Sequence, residues 1–264
     1  MSTRMPVVFF GHGNPMNAIE ENPYAAAWRE LGERMPRPRA IVSVSAHWFV
    51  PGTLVTINEH PKTIHDFGGF PRALHEMQYP APGDPELAHR IASRLEPFAA
   101  RGETQWGLDH GTWAVLCHVY PDADIPVVQL SIDERLSAMS HYEIGTHLRG
   151  LRDEGVLVMA SGNIVHNLHT FAWGRHPVEP FDWARRFESR VRDLLVGRSH
   201  EPLIDYESLG ENALLSAPTP DHYLPLLYAM GASDDDDSVS FPVEGIDGGS
   251  VSMLSVMWSR TNAA

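Results

Sequence analysis

Short runs of apolar, largely β-branched residues limit this chain to one class of fold. They are Val7–Phe10, Ala40–Ser45, Leu54–Ile57, Ile125–Ile132, Val156–Ser161 and Val251–Met257. Several are apolar without strict alternation, as strands are when both faces of their sheet are covered. Between them lie stretches with helix start and stop signals. Tyr24–Met35 follows Asn22-Pro23, Pro85–Glu96 follows Asp84, Ser140–Arg152 precedes Gly155, and Trp183–Leu195 precedes Gly197. Strands alternating with helices predict an α/β fold with a central, mainly parallel mixed sheet flanked by helices. At 264 residues, one domain over residues 1–264 is the expectation.

Charge and cysteine content narrow the function. The 20 Lys and Arg stand against 34 Asp and Glu, a formal net charge of −14. This argues against a nucleic-acid partner, whose phosphates call for clustered basic residues. Cys117 is the single cysteine, which excludes an internal disulfide framework and fits a reducing, cytoplasmic location. The run Val7–Phe10 is too short for a signal-peptide core, and nothing approaches the roughly 18 apolar residues of a membrane helix. Neither a monomer nor a homodimer is favoured. The acidic run Asp234–Asp237 reads as a solvated turn. Residues 61–82, rich in Gly, Pro and aromatics, read as a long ordered loop of the kind that often carries function.

The chain holds 15 histidines, and several sit where open α/β sheets bind ligands, beyond the carboxyl ends of strands. Val7–Phe10 runs into Gly11-His12-Gly13, Ala40–Ser45 into Ala46-His47-Trp48, and Val156–Ser161 into a segment reaching His166. Glycines on both sides of His12 permit a tight turn. His222 follows Thr219-Pro220, which reads as a helix cap and first residue; the positive end of the helix dipole there favours a neutral, metal-ligating imidazole. Taken singly, each is more often a surface or hydrogen-bonded histidine; taken together they are compatible with a mononuclear metal site. His60, His75, His89, His118, His141, His147, His169, His176 and His200 lack such placement and read as surface or core residues. In Trp106–Trp113, His110 lies between Asp109 and Gly111, either in the wall of a pocket for a flat ring or in a structural turn with Asp109 orienting His110. No Cys pair, P-loop string or Gly-x-Ser-x-Gly elbow occurs, which removes zinc ribbons, P-loop enzymes and α/β-hydrolases.

Taken in order, Gly-His-Gly-Asn-Pro-Met (11–16), Val-Ser-Ala-His-Trp (44–48), Thr-Ile-His-Asp-Phe-Gly-Gly-Phe-Pro (63–71) and Tyr-Pro-Ala-Pro-Gly (79–83) resemble the class III extradiol ring-cleavage dioxygenases. Leu-Asp-His-Gly-Thr-Trp (108–113), Ser-Gly-Asn-Ile-Val-His-Asn (161–167), Pro-Thr-Pro-Asp-His-Tyr-Leu-Pro-Leu (218–226) and Pro-Val-Glu-Gly-Ile (242–246) extend the likeness over nearly the whole chain. The similarity is greatest to the 4,5-DOPA dioxygenase branch.

The resemblance implies one divalent metal ion, Fe2+ for activity with Zn2+ as another occupant, at the C-terminal ends of the strands. It matches His12 and His47 to the family's two metal histidines. His222 stands where many members have a carboxylate, with Glu244 as the lesser alternative. His166 matches the catalytic histidine, also counted as a metal contact in zinc-loaded members, and His110 a second active-site histidine. His65 and Asp66 would border the substrate.

The implied reaction inserts both atoms of O2 into a DOPA-like catechol and opens the ring to a muconic-semialdehyde type product. His166 would act as base and His110 would hydrogen-bond a substrate oxygen. Three protein ligands would leave positions open for substrate and O2. Trp48, Phe67, Phe70, Trp106 and Trp113 are candidate walls for a flat ring. The rival readings are a zinc hydrolase using the same three histidines, a non-catalytic metal-binding protein, and a family member acting on something other than a simple catechol.

Overall fold

The computed structural model describes residues 4–175 and 177–260; His176 lies outside the described residues. The strands are β1 (Val7–Gly11), β2 (Ala40–Val50), β3 (Leu54–Thr56), β4 (Arg101–Glu103), β5 (Val127–Asp133), β6 (Val156–Gly162), β7 (Asp237–Val243), β8 (Ile246–Asp247), β9 (Val251–Ser252) and β10 (Ser255–Arg260). The helices are α1 (Pro23–Arg34), α2 (Arg72–His75), α3 (Pro85–Arg94), α4 (His110–Val119), α5 (Ala138–Leu148), α6 (Asp182–Val196), α7 (His200–Ile204), α8 (Glu211–Ser216) and α9 (Leu224–Ala232). No helix among the described residues is long and apolar enough to cross a membrane.

An eight-stranded mixed sheet in the order β4-β3-β5-β2-β6-β1-β10-β7 organises the molecule. Its centre, β5-β2-β6-β1, is parallel, and β10 and β7 continue it antiparallel. Successive side chains of a strand face opposite ways. In β1, Val7 and Phe9 join the core formed with α3, α5, α6 and α9, whereas Val8 and Phe10 join the core formed with α1 and α4. Both faces are therefore covered, which is why the run is apolar throughout. β8 and β9 form a separate small ribbon.

Several boundaries differ from the sequence reading for local physical reasons. β2 runs on past Ser45 to Val50: Val44 pairs with Leu130, but Phe49 pairs with Ile132, so residues 45–48 bulge. Val251–Met257 divides into β9 and β10. The helix after His222 starts at Leu224, with Tyr223 at its N-cap and no capping side chain, so Thr219 and Pro220 lie in the turn before it. The Asp234–Asp237 run is not uniformly solvated. The Asp237 side chain is fully buried against Arg152, and Asp234 pairs with Arg4.

Candidate active site

Three parallel strands deliver three histidines to one end of the sheet. His12 follows the last residue of β1, and its backbone N–H continues the ladder to the Gly162 carbonyl at 3.1 Å. Gly13 next to it has φ +61, a left-handed conformation that suits glycine. His47 sits in the β2 bulge, a device that re-aims a side chain. Beyond β6, His166 is fixed by its N–H to the Ser216 carbonyl at 2.7 Å and by a bridge to Val251. The turn bearing His222 lies on the end of β6. Asn163 N–H donates to the His222 carbonyl at 2.9 Å, and a Cβ on Gly162 would come within 2.2 Å of that oxygen. His110 is the first residue of α4, which Asp109 caps by accepting from Thr112 N–H.

These rings converge. One ring nitrogen from each of His12, His47 and His222 lies within 4.8 Å of the others. His12 Nε2 and His47 Nε2 are 3.1 Å apart. Ring centroids of His47 and His110 are 3.8 Å apart, and His166 stacks flat on His222 at 3.5 Å with 4° between the planes. His166 thus contacts the set by its face, outside the group of nitrogens able to share one ion.

The opposite nitrogens are anchored, which fixes what the converging ones can do. Ser161 Oγ donates its hydrogen to the Gly111 carbonyl, so towards His12 Nδ1, 2.9 Å away, it can only accept. His222 Nδ1 bonds the Asp221 carboxylate. Burial alone would raise the Asp221 carboxyl, but the bond and charge of His222 bring it well down. His110 Nδ1 is hydrogen-bonded to Asp66 Oδ2 at 2.9 Å, and His47 Nδ1 approaches the same oxygen at 3.2 Å. Each of these Nδ1 atoms therefore carries the hydrogen, and each neutral ring is left with a bare Nε2.

Burial, then the charges of neighbouring histidines, hold the His12 and His47 imidazoles well below the ordinary range. Burial and then His222 push His166 down to about 2. Bare nitrogens facing one another repel unless a cation lies between them. Two imidazole nitrogens on a common ion at about 2.1 Å and 90–110° are about 3.0–3.4 Å apart, matching the His12–His47 spacing. Anchoring of the remote ring N–H by an acceptor is also the usual arrangement of metal-bound histidine. The residues fit a single metal ion. Glu244 is not among them; it pairs with Arg192 at the surface.

A cavity of about 240 Å³ opens beside the converging rings. His12, His47, His110, His166 and His222 line it with Phe67 and Phe70; Leu168, Phe171, Trp173 and Val251 form a further wall, and Gly13, Asn14 and Pro15 the edge beside His12. It is smaller than the roughly 300–1,000 Å³ of drug-sized pockets and suits one ring with a short side chain.

Neither His65 nor Asp66 reaches this cavity. His65 Nε2 bonds the Met77 carbonyl at 2.9 Å, and Asp66 is turned to His47 and His110. Trp48 stacks on Trp106, and Trp113 is fully buried with its N–H on the Ile64 carbonyl. Asp109 does not orient the His110 ring. Its carboxyl, pushed up to about 6 by burial and then by Asp66, accepts from Ser45 and Gln129. Of the histidines without strand-end placement, His118 bonds the Asn17 carbonyl, and His141 and His200 bond Tyr228 and Tyr142.

Comparison with known proteins agrees with this geometry. Residues 11–251 match the family described as "Catalytic LigB subunit of aromatic ring-opening dioxygenase". A protein of Escherichia coli K12 named 4,5-DOPA dioxygenase extradiol is 52% identical over 97% of this chain and 95% of its own length. One of the same name from Beta vulgaris is 37% identical over 96% of both chains. The crystal structure of an uncharacterized protein from Escherichia coli K12 superposes with a TM-score of 0.84 at 48% identity, covering 96% of this chain and 99% of that one. With three histidines brought together at the strand ends and a family match across nearly the whole chain, this protein belongs to the LigB family and is an extradiol ring-cleavage dioxygenase.

Proposed function

We propose that the chain opens a catechol of the DOPA type, using one metal ion held by Nε2 of His12, His47 and His222. The observation that carries this reading is the convergence of bare imidazole nitrogens, each anchored from behind, on the floor of a cavity of about 240 Å³. A ferrous ion there would supply the electron density that lets triplet O2 react with a singlet aromatic ring. The donors are neutral, so the site keeps its attraction for a catecholate anion. Phe67, Phe70 and Phe171 present ring surfaces that pack a flat substrate and exclude water.

The protein's own part is to take protons. A bound catechol must lose hydroxyl protons, and two imidazoles, His110 and His166, stand in the cavity wall. The phenolate charge produced would stabilise an imidazolium at either. The relatives named for DOPA support that substrate class, and O2 is the second substrate.

The test is anaerobic loading with ferrous iron, then O2 uptake and visible absorbance with DOPA, caffeate and protocatechuate, against a zinc-loaded control. Uptake of one O2 per ring opened, with a yellow product in the iron form alone, is expected. No uptake by a fully iron-loaded chain, or oxygen-independent activity with zinc, would contradict it.

A further inference from the structure

We infer that Asp66 is a positioning residue that sets the tautomers of His47 and His110 together, and so makes the cavity nitrogen of His110 a proton acceptor. The inference rests on the metal reading of His12, His47 and His222. Asp66 lies in the 61–82 loop, which is tied to the start of α4 by Ile64 N–H to the Leu108 carbonyl at 2.7 Å and by the Thr63–Leu108 bridge. There Oδ1 accepts the His110 backbone N–H at 2.9 Å, while Oδ2 lies 2.9 Å from His110 Nδ1 and 3.2 Å from His47 Nδ1.

One carboxylate oxygen thus faces two ring nitrogens, in a hydrogen bond with His110 and in a close approach to His47. A carboxylate has no hydrogen to give, so His110 must present N–H to it, and His47 avoids setting a lone pair against the charge at 3.2 Å by presenting N–H as well. The other nitrogen of each neutral ring is then bare. For His47 that nitrogen is the Nε2 that faces His12, as a metal ligand requires. For His110 it is the Nε2 of a ring in the cavity wall. A hydroxyl bound there gives its proton to Nε2: the O–H bond breaks, the N–H bond forms, and Asp66 stabilises the imidazolium. His110 can donate only after that step. The hydrogen bond to a substrate oxygen expected of His110 from the sequence would then follow this proton transfer.

The geometry makes the effect of an amide specific. In Asp66→Asn the backbone N–H of His110 needs an acceptor, so the amide oxygen takes the place of Oδ1 and the NH2 group falls between the two Nδ1 atoms. Both rings must then accept at Nδ1 and carry hydrogen at Nε2. A single substitution removes the ligating lone pair of His47 and turns His110 from acceptor to donor.

The experiment is ring nitrogen NMR on the full, metal-free chain with labelled histidine, together with zinc affinity by chelator competition, for wild type, Asp66→Asn and Asp66→Glu. Wild type should show Nδ1–H at His47 and His110. Asp66→Asn should show Nε2–H at both and bind zinc about 10–100-fold more weakly, and Asp66→Glu should regain most of that affinity. If Asp66 only anchors its loop, Asp66→Asn will melt at lower temperature with tautomers and affinity unchanged, which overturns the inference. Nε2–H at either histidine in wild type overturns it as well, and that reading needs no variant to fold. Failure of the metal reading looks different: wild type itself would bind no zinc through His12, His47 and His222.

Discussion

The two ends of the parallel strands each bury a polar cluster, and the clusters differ in how completely their bonds are closed. At the N-terminal end, Arg152 is buried with Asp237. Its Nε donates to the Met5 carbonyl at 2.7 Å, Nη1 to the Ala232 carbonyl at 3.1 Å and to Asp237 at 2.6 Å, and Nη2 to Asp237 at 2.9 Å. Asp237 also accepts the Asp234 N–H at 2.8 Å. The cluster ties the segments before β1 and β6 to the start of β7, with both charged side chains buried and paired. At the C-terminal end, His12, His110 and His222 are each hydrogen-bonded on Nδ1, His47 turns its Nδ1 to Asp66, and the Nε2 atoms are left bare beside a cavity. A closed cluster holds the fold, whereas an open one is available for chemistry.

The largest effect should come from emptying the open cluster. His12→Ala, His47→Ala and His222→Ala should each lose the metal and with it all turnover, while the chain stays folded, because each ring is held by only one bond. Metal content per chain checks this; near-full iron in any of the three removes that residue from the ligand set. The closed cluster should behave in the opposite way. Arg152→Ala leaves the Asp237 charge buried alone and should cost about 3–5 kcal/mol of stability, read by denaturant unfolding, with metal content per folded chain unchanged. Replacing both partners by apolar residues should recover much of that loss; no recovery would mean that the pair itself, not the orphaned charge, provides the stability.

Next in size, His166→Ala and His110→Ala should keep the metal and lower kcat by about 10²–10⁴-fold, as expected for groups that handle protons. Loss of metal from His166→Ala would move that ring from stacking on His222 into the ligand set.

The smallest effect concerns a histidine outside both clusters. Burial pushes the His141 imidazole from 6.5 down to about 4. As pH falls, the unfolded chain takes up this proton first, so stability falls from about pH 6.5 to 4 and no further below, by at most about 3 kcal/mol. Denaturant unfolding of His141→Gln across this range should show a flatter pH dependence than wild type by that amount. Parallel curves would show that His141 titrates alike folded and unfolded.

The parts of this account legible in the sequence are those fixed locally. β1 and β6 are read directly because burial on both faces leaves unbroken apolar runs, and His12 and His166 follow them closely. The setting of His47 was partly hidden, since a bulge depends on the neighbouring strand as much as on residues 45–48. α4 and α9 are buried nearly all round, so neither shows an amphipathic period. Asp66 is 44 residues from His110 in sequence, and no local pattern signals that pairing. The cavity wall at Leu168, Phe171 and Trp173 lies on an irregular segment whose side chains become a wall only when placed against His166 and His222.

The bare nitrogens at the C-terminal end of the sheet are proposed to hold one metal ion. A crystal structure of the iron-loaded chain, with anomalous scattering recorded at the iron edge, tests it most directly. One peak per chain is expected at bonding distance from Nε2 of His12, His47 and His222, with the Arg152–Asp237 end free of metal. An iron peak away from these three nitrogens, or a fully loaded chain in which one of them points elsewhere, would contradict it.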